Sequence, residues 1–147
     1  MRVLVNQLYA SGVHEKLVKR VMAVAAKEDP QYRHAEVSVA FVSDAVSRRL
    51  NRQYRHIDRP TDVLSFSELD VKKAEMISTG YVGEIVIAVP YTRRQAKRLL
   101  HSFREEVIIL LIHGWLHLIG HDHIRNAAAV KMQRLEKRIL RAYLSNN

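Results

Sequence analysis

Four of the eight histidines in the chain fall in eleven residues, in the run His113-Gly-Trp-Leu-His117-Leu-Ile-Gly120-His-Asp-His123. Neutral imidazole is the commonest metal ligand among side chains, so metal chemistry is the first reading of such a cluster. His113 and His117 stand four apart in an apolar stretch, and on a helix that spacing puts both on one face with Cβ atoms about 5–6 Å apart. Two imidazoles so placed can converge on one ion, and a third ligand with a water completes an open tetrahedral site. Gly120 bears on where the third ligand comes from. Were the helix to continue, His121 would share the face of His113 and His117. A glycine here instead favours a left-handed C-terminal cap that turns the chain back across the site, which makes His123 the better candidate. A closed structural site would need a fourth protein ligand, which His121 or Asp122 could supply.

The pattern H-x-x-x-H-x-x-G-x-x-H has the ligand and glycine spacing of the metzincin proteases. In those enzymes a glutamate follows the first histidine and serves as general base; here that position is Gly114. A peptidase without that carboxylate lacks its usual proton acceptor, so the scaffold is expected to serve different chemistry. A lone histidine in an apolar helix is usually a hydrogen-bonded core residue, and a pair at this spacing is ambiguous. Three with the glycine between them favour a metal.

The elements that must hold these residues can be read from periodicity. Residues 2–8 read as a strand, and apolar residues at Leu17, Val18, Val21, Val24 and Ala25 predict a helix over 13–28, closed by Pro30. Glu36 to Val42 reads as a second strand with Val37, Val39 and Phe41 on one side. Ser43 or Asp44 can cap a helix running to about Tyr54. His56 to Thr61 reads as a loop, Asp62 to Ser67 as a third strand, and 68–80 as an exposed connection ending at Gly80. Gly83 to Val89 is a strongly apolar fourth strand terminated by Pro90. Thr92 is expected to cap a helix through about Leu100. Ser102-Phe-Arg-Glu105 has the capping-box pattern and should open a helix reaching Ile119 or Gly120, whose apolar residues encircle its axis and mark it as central and buried. Trp115 is read as core there. A last amphipathic helix is expected over 126–144, with Met132 in the core. No internal repeat and no linker long enough to separate two domains is present. The expectation is one α+β domain over 1–147, a small mixed sheet packed with about five helices around a central site helix.

Composition bounds the partners. Hydrophobic residues make up 48% and charged residues 27%, ordinary for a globular protein. The lack of cysteine excludes disulfides and thiolate metal sites, and fits a reducing compartment. Lys and Arg total 24 against 15 Asp and Glu, a formal charge of +9, which favours an anionic partner, nucleic acid first. Met1 to Leu8 reads as a strand rather than an export signal, and Val107 to Gly120 is too short to span a bilayer, so a cytoplasmic protein without a membrane partner is expected.

The segment His113 to His123 closely resembles the signature H-G-x-L-H-L-x-G-Y-D-H of the YbeY-type endoribonucleases, the bacterial rRNA maturation factors. It matches every fixed position but the tyrosine, which is His121 here. Leu50-Asn-Arg-Gln-Tyr-Arg55 followed by Asp58-Arg-Pro60-Thr-Asp-Val-Leu-Ser-Phe66 is similar to a second block of that family. Gly83-Glu-Ile-Val-Ile87 is similar to a third, where the family more often has Gly-Asp-Ile. Block order and length agree, so the resemblance covers nearly the whole chain. It implies a zincin-like α+β fold, a metal (Zn²⁺ first) held by His113, His117 and His123, Arg55 in the active-site cleft, and a single-stranded RNA substrate, notably precursor rRNA on the ribosome or its small subunit, with processing of the 16S rRNA 3′ end. Departures at His121 and Glu84 leave His121 as an added cleft donor or a polar rim residue.

The chemistry follows. Zinc lowers the pKa of its water toward ~7 and can polarise a phosphate oxygen. His113 is read as catalytic as well as ligating. The anionic phosphodiester gains charge in the transition state, which a guanidinium stabilises, and Arg55 at the end of the second helix is the candidate. No general base stands out: Asp122 is read as orienting a ligand histidine, Glu105 and Glu106 as capping or surface charge, Asp58 and Asp62 as turn and strand caps, and Thr61 and Ser65 as ambiguous. Arg48 and Arg52 with Arg55, and Lys131, Arg134, Arg138 and Arg141 on the last helix, form basic stripes that could track an RNA backbone, as could the cluster Arg93, Arg94, Lys97 and Arg98. Tyr54, Tyr81 and Tyr91 could stack on bases, although core packing is the expected role. A monomer is the expected state. Two other classes stay open: a metallopeptidase, which would cleave unstructured protein, and a non-catalytic ribosome or RNA-binding factor with a structural metal, which would bind RNA without metal-dependent cleavage.

Overall fold

The computed structural model describes residues 1–69 and 80–146. Four strands, β1 (Arg2–Gln7), β2 (Glu36–Val42), β3 (Val63–Ser67) and β4 (Tyr81–Ala88), form one sheet in the order β1-β2-β4-β3. β1 and β4 run parallel to β2, and β3 is antiparallel to β4, so the sheet is mixed as expected. Among the described residues there are five α-helices: α1 (Glu15–Ala26), α2 (Asp44–Arg55), α3 (Val89–Arg98), α4 (Phe103–Leu118) and α5 (Asn126–Ser145). None is long and apolar enough to cross a membrane.

Period-two alternation sorts β2 between two cores. Val37, Val39 and Phe41 face the larger core, which holds α1, α4 and α5, while Ala40 and Val42 join Leu64 and Val86 in a smaller one under Val46 and Leu50 of α2. Helices therefore cover both faces, which is why β2 is buried along nearly its whole length. α4 lies at the centre of the larger core. Val107, Leu111, Ile112, Trp115, Leu116 and Leu118 are each at most 1% exposed, and Trp115 meets Tyr32 edge-to-face at 5.8 Å. Burying each such side chain is worth roughly 1.5–3 kcal/mol, so α4 anchors the fold. Met132 is likewise buried.

The capping box at Ser102 forms in both directions: Glu105 N–H donates to Ser102 Oγ at 3.1 Å, and Ser102 N–H donates to the Glu105 carboxylate at 2.7 Å. Those backbone and side-chain bonds with Ser102 lower the Glu105 pKa. Ser43 caps α2 through Val46 N–H. The α3 boundary differs from expectation. Thr92 does not cap; it is fully buried inside the helix, which starts at Val89 with Pro90 in its first turn, where no N–H is needed. The cap comes from another helix, since Asp44 Oδ1 of α2 accepts from Tyr91 N–H at 2.9 Å. β4 starts two residues earlier than its apolar run, and α1 is shorter than its periodicity at both ends. Most of the connection expected over 68–80 lies outside the described residues.

Candidate metal centre

The last turns of α4 and the residues after it build the site. His113 and His117 sit one turn apart on the same face of α4. The helix then ends in a Schellman motif: Gly120 has φ of 97°, Gly120 N–H donates to His117 O at 3.1 Å, and His121 N–H reaches back to Leu116 O at 2.9 Å. A left-handed residue at this position costs a Cβ-bearing side chain energy and glycine none. The turn swings His123 back over the helix. His117 Nε2 then lies 3.1 Å from His113 Nε2 and 2.9 Å from His123 Nε2.

Three imidazole nitrogens so close form a group that can hold a metal ion. Zn–N bonds of about 2.0–2.1 Å in a tetrahedron put ligand atoms about 3.3 Å apart, close to these separations. The tautomer fits as well. His113 Nδ1–H donates to the Glu136 carboxylate of α5 at 2.6 Å, which leaves the Nε2 lone pair facing the other two rings. His117 is pulled down to about 4 by burial first and then by His113 and His123, with a hydrogen bond to the His121 backbone opposing, so its ring is neutral and able to ligate at neutral pH. His121 does not join the group. It is half-buried nearby, its pKa lowered by burial and by Lys131.

The triad opens into a cleft of about 1100 Å³, walled by α2, β3 and the loop between them. Arg55, the last residue of α2, enters it because His56 adopts a left-handed cap and reverses the chain; Arg55 Nη2 donates to the Ser65 carbonyl at 3.3 Å. Gly114 faces the sheet. A Cβ there would lie 2.9 Å from Ile85 Cγ2 and 3.1 Å from Ser65 Oγ, so α4 approaches the sheet too closely for a side chain, let alone a glutamate. Ser65 Oγ donates to Gly114 O at 3.2 Å and binds strand to helix.

A sequence profile described as Endoribonuclease YbeY matches residues 6–144. The chain belongs to the endoribonuclease YbeY family. The Endoribonuclease YbeY of Shouchella clausii (strain KSM-K16) is 39% identical over 142 residues, covering 92% of this chain and 89% of that protein. That of Desulforamulus reducens is 41% identical over 146 residues, covering 95% of each. The solution structure of TM1509 from Thermotoga maritima is similar with a TM-score of 0.67 and 27% identity, over 99% of this chain and 89% of that one. The α+β fold is therefore shared with a solved structure.

Within this YbeY-family site several residues fall elsewhere than expected. Asp122 makes no hydrogen bond to a triad histidine among the described residues; its carboxylate accepts from Ile124 N–H at 3.0 Å. Glu136, to which the residue order assigned no role, is the carboxylate that meets a triad histidine, at His113 Nδ1. Glu106 is neither surface charge nor a cap. It is 3% exposed at the edge of the cleft and accepts from Gln95 at 3.1 Å, with His101 Nδ1 at 2.9 Å. Gln95 also donates to Asp62 at 2.7 Å, so α3 ties the residue that leads into β3 to α4. Arg59 lines the cleft beside Arg55 and was likewise passed over. Arg48 pairs with Asp58 through two bonds of 2.8 and 3.0 Å, and Arg138 pairs with Glu28, just after α1. Arg52, Lys131, Arg134 and Arg141 are exposed, with no ion pair among the described residues. Arg94 pairs with Asp44, and Arg93 lies over the Phe103 ring. Tyr54 and Tyr81 are 58% and 40% exposed, so core packing is not their role.

Proposed function

We propose that this protein is a zinc-dependent endoribonuclease that cleaves single-stranded RNA in rRNA maturation, working in the cytoplasm on precursor rRNA carried by the ribosome or its small subunit, as a single domain over 1–147 and as a monomer. His113, His117 and His123 hold the ion. The observation that carries the reading is the convergence of three Nε2 atoms, two of the separations being 3.1 and 2.9 Å, in a cleft that also receives an arginine. The names borne by relatives across most of the chain are those of a nuclease.

When bound, such an ion acidifies a water molecule and polarises a phosphate oxygen. The protein's own groups supply the rest. Glu136 holds the His113 ring in the ligating tautomer, and Arg55 pairs with the phosphate whose charge grows during cleavage. A guanidinium suits that task because its fork matches two phosphate oxygens and stays charged. Arg52, Lys131, Arg134 and Arg141 contribute a longer-range attraction for the RNA backbone, and Arg48 and Arg138 do so less, each having a carboxylate partner.

The peptidase reading is disfavoured on two counts. The position of the usual base is closed by Ile85 and Ser65, and the Ser65 carbonyl that an extended peptide would use for strand addition is taken by Arg55. The test is cleavage of labelled single-stranded RNA by as-isolated, chelator-stripped and zinc-restored protein, with His117→Ala as the control for contaminating nuclease. Cleavage lost with the metal, restored by zinc and missing in the mutant is expected. Equal cleavage by the mutant, or RNA binding without cleavage at any metal loading, would sink the proposal.

A further inference from the structure

Strand β3 is a sheet edge with a cavity on each face. Ser65 and Ser67 turn their hydroxyls to α4, donating to the Gly114 and Leu118 carbonyls at 3.2 and 2.9 Å, and the metal cleft lies on that side. Leu64 and Phe66 alternate to the opposite face, under α2. There a second cavity of about 700 Å³ has Tyr54, Phe66, Tyr81 and Glu84 in its walls, and it shares Arg55 and Ser65 with the metal cleft. The two cavities thus meet over the edge of β3, with the Arg55 guanidinium at the junction.

The chemistry of the second cavity is specific. Tyr54 and Tyr81 leave 58% and 40% of their surface in water, where an aromatic ring gains nothing by packing. The Tyr54 and Phe66 rings meet at 5.1 Å and 66°, an edge-to-face pair rather than a stack, so the two do not cover each other face to face. Glu84 is directly opposite Phe66 in the β3–β4 register, so a carboxyl lies beside the aromatic wall, and partial burial raises its pKa. A ligand that suits these walls is flat, aromatic on both faces, carries a hydrogen-bond donor on its edge, and is joined to an anion at Arg55. That is a nucleotide within a strand.

We propose that the second cavity is a nucleobase subsite, in which the unpaired base next to the phosphate at Arg55 packs against Tyr54, Phe66 and Tyr81 and donates its exocyclic amine to Glu84. The proposal rests on the single-stranded RNA reading above and deepens it. Cytosine N4 and adenine N6 are donors, whereas uracil presents an acceptor, O4, at the same edge. The subsite therefore prefers cytosine or adenine to uracil, and the strand wraps over β3 from the α4 face to the α2 face.

The test uses zinc-loaded protein and 2′-O-methyl oligocytidine and oligouridine, confirmed intact on gels after each titration, with fluorescence anisotropy for affinity and circular dichroism for the fold of each variant. The wild type should bind oligocytidine more tightly than oligouridine. Tyr54→Ala and Tyr81→Ala should each weaken binding, by roughly 5- to 150-fold for a lost base stack. Tyr54→Leu, which keeps an apolar contact with Phe66, should stay weak. Glu84→Gln should erase or invert the preference for cytosine, since an amide can donate to O4 as well as accept. Wild-type affinity in both tyrosine variants, full recovery in Tyr54→Leu, or an unchanged cytosine-to-uracil ratio in Glu84→Gln would overturn the subsite while leaving the RNA reading intact. Failure of the wild type to bind either oligonucleotide would overturn the RNA reading itself.

Discussion

Glu136 offers the sharpest test of how the site is assembled, because it lies in a different helix from His113 and His117 and hydrogen-bonds to His113. Its carboxylate accepts from His113 Nδ1–H at 2.6 Å, and both side chains are about a quarter exposed, at 28% and 27%. Removing a group that orients a ligand histidine typically weakens metal binding by about 10- to 100-fold, or ~1.4–2.8 kcal/mol. The partial exposure lets water replace the lost acceptor, so Glu136→Ala should fall in the lower part of that range, at about 10- to 30-fold. Glu136→Gln keeps an oxygen for Nδ1–H and loses only the charge, so it should cost about threefold by the same reasoning. The assay is zinc competition with a chromogenic chelator at constant pH, alongside melting of the metal-free protein, which should shift by only a few degrees. Zinc affinity of Glu136→Ala within twofold of wild type, while His117→Ala loses zinc, would refute the argument that α5 tunes the centre.

Three further outcomes follow from the geometry. Arg55→Ala should lower kcat for RNA cleavage by about 10²–10³-fold while leaving zinc affinity unchanged, and Arg55→Lys should recover only part of it; equal kcat in Arg55→Ala would remove the guanidinium from the reaction. Gly114→Ala should destabilise the fold by about 1–3 kcal/mol in urea unfolding, since its Cβ would meet Ile85 Cγ2 at 2.9 Å; an unchanged midpoint would mean that α4 does not press on the sheet there. His117 is held at about 4 instead of 6.5, chiefly by burial, so between those values the unfolded chain binds the proton that the folded chain refuses. Stability of the metal-free protein should therefore be full above that window and fall as pH drops through it, and His117→Gln should flatten the slope; an identical profile would refute the assignment.

Much of the site can be read without coordinates because its ligands are local. His113 and His117 are joined by one turn of helix, and Gly120 directs His123 through a cap built from three neighbouring residues. Helical period and the conformational freedom of glycine are properties of the chain within a few residues, so the triad, the capping box at Ser102 and the mixed α+β pattern follow from residue order. The groups around the triad are different. Glu136 is 23 positions from His113 and reaches it because α5 packs on α4. Glu106 looks like an ordinary surface carboxylate in sequence and becomes buried because Gln95 and His101 arrive to pair with it. Thr92 has the residue type of a cap, yet Pro90 starts the helix earlier and Asp44 of α2 caps it. Arg55 and Ser65 are brought together by the crossing of α2 over the edge of β3, which also opens the cavity beside Tyr54 and Tyr81. Pairing between distant segments depends on which faces pack together, and hydrophobic burial, which drives that packing, has no direction of its own. The histidine triad was thus written in residue spacing, while its carboxylate support, the meeting of Arg55 with Ser65 and the shape of the cleft came from how the helices settle on the sheet.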